Sequence, residues 1–395
     1  MSAVDDPVVI VGMARTPMGG LLGELTTLSA NELGAIAVKA AMEEAGVAGE
    51  DVDQIFMGNV LGAGQGQAPA RQAGIKAGLP KSVEATTLNK MCGSGMQAAI
   101  MGRSALLAGD ADIIVAGGME SMSNAPHLLP THRSGMKYGH DVLKDHMAQD
   151  GLEDAYEKKP MGVYADMIAQ EHQFTREQQD AYALETLARA QRATKNGDFK
   201  REITPVTMTT RKGDVVVDTD ELPRRAMPDK IPSLRPAFGK DGTVTAANAS
   251  GISDGAAALV LMRKSEAERR GLKPLARIVA TAAHAHEPAY FTTAPVPAMR
   301  KAVERAGWTI EDVDLWEINE AFAVVPMIAM KELGLSHDKV NVNGGACALG
   351  HPIGASGARV IVTLIAALEK HGKTKGVASL CIGGGEATAV AIERL

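Results

Sequence analysis

Cys92 stands in the run Thr86-Thr87-Leu88-Asn89-Lys90-Met91-Cys92-Gly93-Ser94-Gly95-Met96-Gln97-Ala98-Ala99-Ile100. A glycine-flanked turn leads there into a proline-free stretch of small and apolar residues, and Met96 to Ala108 reads as a buried helix. A cysteine at a helix N-terminus faces unpaired backbone N–H groups and the positive end of the dipole. Both favour the thiolate, which is the nucleophile. Free buried cysteines are more often inert packing, so the assignment turns on what the rest of the chain brings to Cys92.

The second half of the chain offers three tight loops. In Glu317-Ile318-Asn319-Glu320-Ala321-Phe322-Ala323, Asn319 and Glu320 sit at a strand-to-helix junction, where a plain helix cap is the competing use. In Asn341-Val342-Asn343-Gly344-Gly345-Ala346-Cys347-Ala348-Leu349-Gly350-His351-Pro352-Ile353-Gly354-Ala355-Ser356-Gly357, His351 is held between Gly350 and Pro352, and the glycines let backbone approach a ligand closely. In Leu380-Cys381-Ile382-Gly383-Gly384-Gly385, Cys381 ends a strand and three glycines expose backbone N–H groups fit for an oxyanion hole. A phosphate loop is excluded: there is no Walker lysine, and no GxGxxG with a distal acid in a βαβ setting. Cys92, His351 and the Cys381 loop are therefore the candidates for nucleophilic chemistry.

The elements that position these residues alternate strand and helix. Val8 to Val11 is a buried strand. Leu28 to Ala45 is a helix with Ser29 or Asn31 as its cap. Ile55 to Val60 is a strand, Ala68 to Ala77 a helix, and Asp112 to Gly118 a strand. This predicts an α/β fold with a mostly parallel sheet. From Ser121 to about Ser250 the pattern loosens, apart from a strong helix from Thr175 to Asn196 with Gln178 completing a capping box. Ala256 to Met262 then reads as a buried strand. The chain also repeats itself. Ala37 to Asp53 aligns without a gap on Ala298 to Asp314, Ser94-Gly95 matches Ser356-Gly357, and Val115-Ala116-Gly117-Gly118 echoes Cys381-Ile382-Gly383-Gly384. The boundaries expected are 1–120 for an N-terminal α/β half, 121–250 for a loop-rich insertion, 251–272 for a return to the first half and 273–395 for a C-terminal α/β half. Two such halves pack about a pseudo-twofold that brings the Cys92 loop to the His351 loop.

Composition sets the bounds. The chain has 395 residues, 45% hydrophobic and 22% charged, with a net charge of −6. That is ordinary globular chemistry with no basic footprint for nucleic acid. No apolar run approaches the roughly 18 residues of a membrane span, and the first residues carry no secretory signal. Aromatic residues are only 3% against 42 glycines, so cores must pack on aliphatic side chains with helices close together. Three scattered cysteines and no CxxC pair fit a reduced, cytoplasmic compartment. The histidines at 127, 132, 140 and 146 have no metal-ligand spacing.

Taken together, the block Asn343 to Arg359, the Asn319-Glu320-Ala321-Phe322 run, Cys381 to Gly385 and the Cys92 turn resemble the thiolase family over nearly the whole chain, in its order and spacing. The resemblance implies a layered αβαβα fold of two duplicated halves. It implies that Cys92 takes the acyl group, that His351 activates Cys92 and helps polarise a thioester carbonyl, and that Cys381 exchanges a proton with the α-carbon of the second acyl-CoA. Asn319 would hold a water that forms one oxyanion hole with His351, and the N–H groups of Cys92 and Gly383 would form the other. The reaction implied is a ping-pong Claisen condensation of two acetyl-CoA to acetoacetyl-CoA, or its reverse. Coenzyme A is substrate and product, with no metal or resident cofactor. The insertion would carry CoA: Ser250 on the pantetheine, Arg224 or its neighbour Arg225 on the nucleotide, and Met161 lining the acyl or pantetheine end. The same region resembles the one that joins family members into homotetramers.

Departures from the family pattern bear on chain length. Pro160 stands where short-chain members often carry His, and Thr292 and Ala294 replace glycines. A broader 3-ketoacyl-CoA thiolase of fatty-acid degradation is therefore the alternative. A decarboxylating ketosynthase would want a histidine at Asn319 and has no use for Cys381. A non-catalytic acyl-CoA binder has no need of both cysteines with His351. Cys347 reads as packing.

Overall fold

The structure is a computed structural model describing residues 6–210 and 213–395; the stretch read as free of a secretory signal lies almost wholly outside them. The strands β1 (Val8–Arg15), β2 (Gln54–Gly58), β3 (Glu84–Leu88), β4 (Ile113–Ser121), β5 (Ser253–Arg263), β6 (Ala276–Ala285), β7 (Leu315–Ile318), β8 (Lys375–Ile382) and β9 (Glu386–Arg394) join in the order β7-β8-β9-β6-β1-β5-β4-β2-β3. Gly19–Gly20 adds a tenth short strand beside β5 among the described residues.

Side-chain alternation along these strands builds the layers. In β1, Val9 and Val11 enter one core with α1 (Ala30–Ala45) and α2 (Pro69–Ala77), while Val8 and Ile10 enter another with α3 (Ser94–Ala108). In β8, Ala378 and Leu380 share that second core. Val377 and Cys381 face a third, which is built with α4 (Met161–Glu171), α6 (Pro295–Arg305) and α7 (Val324–Leu333). The middle core is completed by α8 (Ile353–Lys370), the helix after His351. Helix, sheet, helix pair, sheet and helix therefore stack as αβαβα. Both faces of the sheet are covered, and the strands read as continuous apolar runs for that reason.

The sheet is mixed, against the expectation of a mostly parallel one. Only β3-β2, β2-β4 and β7-β8 are parallel. β5, returning from the insertion, runs antiparallel between β1 and β4, and β8 and β9 form a hairpin. The duplication survives in space: β6-β9-β8-β7 repeats β1-β5-β4-β2, and an isolated parallel bridge from Trp316 to Val340 stands where β3 meets β2. One register differs from the sequence echo. Asp53 N–H bonds Ile113 O and its counterpart Asp314 N–H bonds Lys375 O, so Val115 matches Val377. Cys381 corresponds to Met119 and Ile382 to Glu120.

The matched glycines form the crossing. A Cβ on Gly95 would lie 2.7 Å from Ala358 N, and one on Gly357 would overlap Met96 N, the equivalent atom across the pseudo-twofold. Only glycine lets α3 and α8 meet backbone to backbone here. This contact brings the entry turns of both helices into one place.

The insertion holds more regular structure than its sequence suggested. Besides α4 it carries α5 (Arg176–Asn196), capped as expected by Thr175 and Gln178. A hairpin joins Val206–Thr210 to Gly213–Val217.

Candidate active site

The Cys92 turn is held from both sides. Met91 is forced to φ +47, an uncommon conformation for a side-chain-bearing residue. The Ser94 hydroxyl fixes the turn by accepting from Lys90 N at 2.9 Å and donating to Met91 O at 2.6 Å. Gly93 packs so closely on Ile382 that a Cβ would overlap it. Lys90 pairs with Glu386, tying this turn to the loop after Cys381. Cys92 is half-buried, and the N–H groups of Gly383 and of Cys92 itself both donate to its sulfur. Burial nonetheless pushes its thiol up to about 11, with the Glu120 charge acting the same way. The depressed pKa that a helix N-terminus suggested is absent, because α3 starts two residues later and desolvation outweighs two N–H bonds.

His351 is buried, its own N–H bound to Gly251 O at 2.9 Å. Its Nδ1 lies 2.6 Å from Ser356 Oγ, and that hydroxyl is 3.0 Å from Pro352 O. Since Ser356 donates to the carbonyl, it accepts from Nδ1–H, and Nε2 keeps its lone pair. Burial, then the charge of Arg359, lowers the ring to about 3, so His351 is neutral near pH 7. Asn319 Nδ2 lies 3.4 and 3.5 Å from the two ring nitrogens. Arg359 donates to Glu317 at 2.8 Å and to Asn319 Oδ1 at 3.1 Å.

Cys381 is buried at the end of β8. Burial holds its thiol well above the usual range, the neighbouring Cys92 sulfur adds to that, and its own N–H opposes it. Met161, the first residue of α4, brings its Cε to 3.7 Å from where a Gly383 Cβ would lie. Cys92, Cys381, Gly383 and Met161 thus converge. Ile353, two residues past His351, shares an apolar cluster with Cys92.

A cleft of about 320 Å³ is lined among others by Leu222, Arg225, Leu234, Ala247, Cys347 and Gly251, whose carbonyl accepts from the His351 N–H. Ser250 precedes Gly251 in the chain, and its N–H bonds Ala321 O at 3.0 Å. Arg225 lines the cleft while also pairing with Glu221. Arg224 turns away to Glu24, at 2.6 Å, beside a different cavity.

Two residues named from sequence serve the scaffold. Glu320 is buried and accepts from Tyr182, Thr186, Asn341 and the Cys347 N–H, pinning the 341–347 loop to α5. His146 bonds Asp150. Sequence reasoning missed Ser356, Arg359 and Glu120 as partners of the site. Glu120, buried, accepts from Asn59 at 2.8 Å, Val60 N at 3.0 Å, Leu61 N at 3.1 Å and Gly354 N at 2.8 Å. The i,i+3 spacing of Ser356 and Arg359, one and two turns into α8 just after His351, was the available signal.

The fold and this convergence of thiols, imidazole and N–H donors place the protein in a class. Residues 8–265 match the thiolase N-terminal domain and residues 272–394 the thiolase C-terminal domain, and the chain belongs to the thiolase family. It is similar to an acetyl-CoA acetyltransferase of Chromobacterium violaceum, 53% identical over 389 residues, 98% of this chain and 99% of the relative. The cytosolic acetyl-CoA acetyltransferase of Mus musculus is 50% identical over 398 residues, the full length of both. A crystal structure of Acat5 thiolase from Ascaris suum in complex with coenzyme A superposes with a TM-score of 0.94 at 45% identity, covering 98% of this chain and 100% of that one. No helix among the described residues is long and apolar enough to cross a membrane.

Proposed function

We propose that this chain is an acetyl-CoA C-acetyltransferase that condenses two acetyl-CoA to acetoacetyl-CoA and CoA, and runs the reverse thiolysis. The observation that carries it is the closeness of the Cys92 and Cys381 sulfurs, with the Gly383 N–H at Cys92 and a neutral, Ser356-oriented His351 on the facing loop. Full-length relatives bearing that activity's name support it.

Because Cys92 rests as a thiol, a base must take its proton as the thioester arrives. The free Nε2 of His351 is suited to that. The Cys92 sulfur attacks the acetyl carbonyl, the bond to the CoA sulfur breaks, and CoA leaves with the Cys381 proton, so that Cys381 becomes a thiolate while His351 keeps the Cys92 proton on Nε2. The Cys92 and Gly383 N–H groups stabilise the oxyanion. In the second half, the α-carbon of another acetyl-CoA loses a proton to Cys381 as its thiolate. Asn319 and His351 stabilise the enolate oxygen through a water. The enolate attacks acetyl-Cys92, a carbon–carbon bond forms, the Cys92–acyl bond breaks, and the freed Cys92 sulfur takes back the proton held on His351 Nε2, while Cys381 keeps the α-carbon proton as its thiol. Each step uses the chain's own groups and CoA thioesters, with no metal or resident cofactor.

Ser250 would meet the pantetheine and Met161 the acyl end. Arg224 or Arg225 would meet the nucleotide, and the lining of the cleft by Arg225, with Arg224 paired to Glu24, supports Arg225. A homotetramer in the cytosol is the assembly we infer, in keeping with the cytosolic mouse relative. The test is CoA-dependent thiolysis of acetoacetyl-CoA against 3-ketooctanoyl-CoA and 3-ketohexadecanoyl-CoA, with Cys92→Ala alongside. Turnover of acetoacetyl-CoA alone, abolished in Cys92→Ala, supports the reading. Equal or better cleavage of the longer chains moves the enzyme to fatty-acid degradation, and no cleavage at all removes the assignment.

A further inference from the structure

We propose that Arg359 is a positioning residue that sets which end of the Asn319 amide faces His351. This rests on the reading above, in which Asn319 holds the water that donates to the reacting thioester oxygen. An amide has one donating and one accepting end, and nothing intrinsic selects between them. Here the selection is made from behind. One arm of the Arg359 guanidinium reaches Asn319 Oδ1 at 3.1 Å, and the other reaches Glu317 at 2.8 Å. All three side chains are buried, and Glu317 is two residues from Asn319 on the same strand end. A cation has no acceptor, so the amide oxygen is bound to the arginine side and Nδ2 is left for His351 and substrate. With the amide reversed, Nδ2 would point at a guanidinium, and Oδ1 would present an acceptor where the water and His351 now meet a donor.

The geometry requires arginine. One planar fork serves a carboxylate and an amide oxygen at once, which a lysine's single nitrogen does not reproduce. Glu317 balances the buried charge and aims the fork. Arg359 touches no reacting atom; it acts through Asn319.

The experiment is a mutant cycle on acetoacetyl-CoA thiolysis by the full chain. Removing Arg359 alone would strand the Glu317 charge in the core, so it is replaced together with its partner, as Glu317→Met with Arg359→Met. With folding confirmed by thermal melting, kcat is expected to fall about 100-fold, as for loss of one oxyanion donor, with KM little changed. Asn319→Ala should fall by a similar factor, and the triple variant no further than Asn319→Ala. If the pair keeps wild-type kcat, or if its loss multiplies that of Asn319→Ala, Arg359 does not work through the amide and the proposal fails. Should the pair not fold, Arg359→Lys replaces it. A clear fall in kcat with the melting temperature nearly unchanged supports positioning, and wild-type kcat overturns it. An inactive wild type would instead strike the thiolase reading, so the two failures are separable.

Discussion

Ser356→Ala tests how His351 is made ready for its work. The Ser356 hydroxyl donates to Pro352 O at 3.0 Å and so offers only a lone pair to His351 Nδ1, 2.6 Å away. That contact selects the Nδ1–H tautomer and leaves the Nε2 lone pair free for the proposed role of base. In the alanine variant the Nδ1–H points at a methyl group in a site where His351 is 6% exposed. An unsatisfied buried donor costs about 1–3 kcal/mol. The cost falls on the reactive tautomer alone, because the Nε2–H form escapes it. The reactive fraction, and kcat with it, should drop roughly 5- to 150-fold, at 1.36 kcal/mol per decade. KM for acetoacetyl-CoA should hold, since neither group touches the CoA cleft. The assay is steady-state thiolysis with single-turnover acylation, normalised to folded protein. A variant within twofold of wild type in kcat would show that the tautomer is not set by Ser356, and the general-base argument would lose its footing.

Three further outcomes follow from the same geometry. His351 binds its proton at about 3 when folded, against an ordinary imidazole value of 6.5. Below pH 6.5 the unfolded chain therefore takes up a proton that the native chain refuses, and stability falls with pH. Between pH 6.5 and 5 this amounts to about 2 kcal/mol. Chemical denaturation at pH 7 and pH 5 should show wild type losing that much more than His351→Gln; equal losses would contradict the burial argument. Gly357→Ala places a Cβ 2.9 Å from Met96 Cβ and closer still to its backbone nitrogen. Forcing apart two buried helices should cost about 3 kcal/mol, the upper end of overpacking. Gly372→Ala, at φ +61 with open space around it, should cost about 1 kcal/mol, and similar melting temperatures for the two would refute the crossing argument. Arg225→Ala should raise KM for CoA about tenfold, the size of one charge-assisted hydrogen bond, with kcat retained. Arg224→Ala, which breaks only a surface pair with Glu24, should leave both constants near wild type, and the reverse pattern would move the nucleotide to the other arginine.

Much of this arrangement was legible in the chain. Cys92, His351 and Cys381 announce themselves by glycine-rich loops, because a side chain that must meet a ligand at close range needs neighbours without bulk. Ser94-Gly95 and Ser356-Gly357 gave away the helix crossing, since its two sides obey the same steric limit. Strand direction was not legible. A strand buried on both faces has the same apolar composition whether its neighbours run parallel or antiparallel, and β5 enters from a distant insertion. The echo of Val115 in Cys381 misled by four residues, because glycine runs recur wherever a strand ends close to another backbone. The thiol pKa was misjudged for a physical reason: the sequence shows the helix start but not the desolvation that outweighs it. Ser356, Arg359 and Glu120 escaped notice because their roles depend on where they point across the pseudo-twofold. Helix α4 lay in the stretch whose pattern loosens, and Pro160 stands at its N-cap position.

The account stands or falls on where the acetyl group rests between the two half-reactions. The direct measurement is to mix the protein with acetyl-CoA, quench in acid, and map the acetylated peptides by mass spectrometry before and after adding CoA. One acetyl group on Cys92, removed by CoA and absent in His351→Ala on the same timescale, is the result expected. Turnover with no acetyl group on Cys92, or with the group on Cys381 or Cys347, would contradict it.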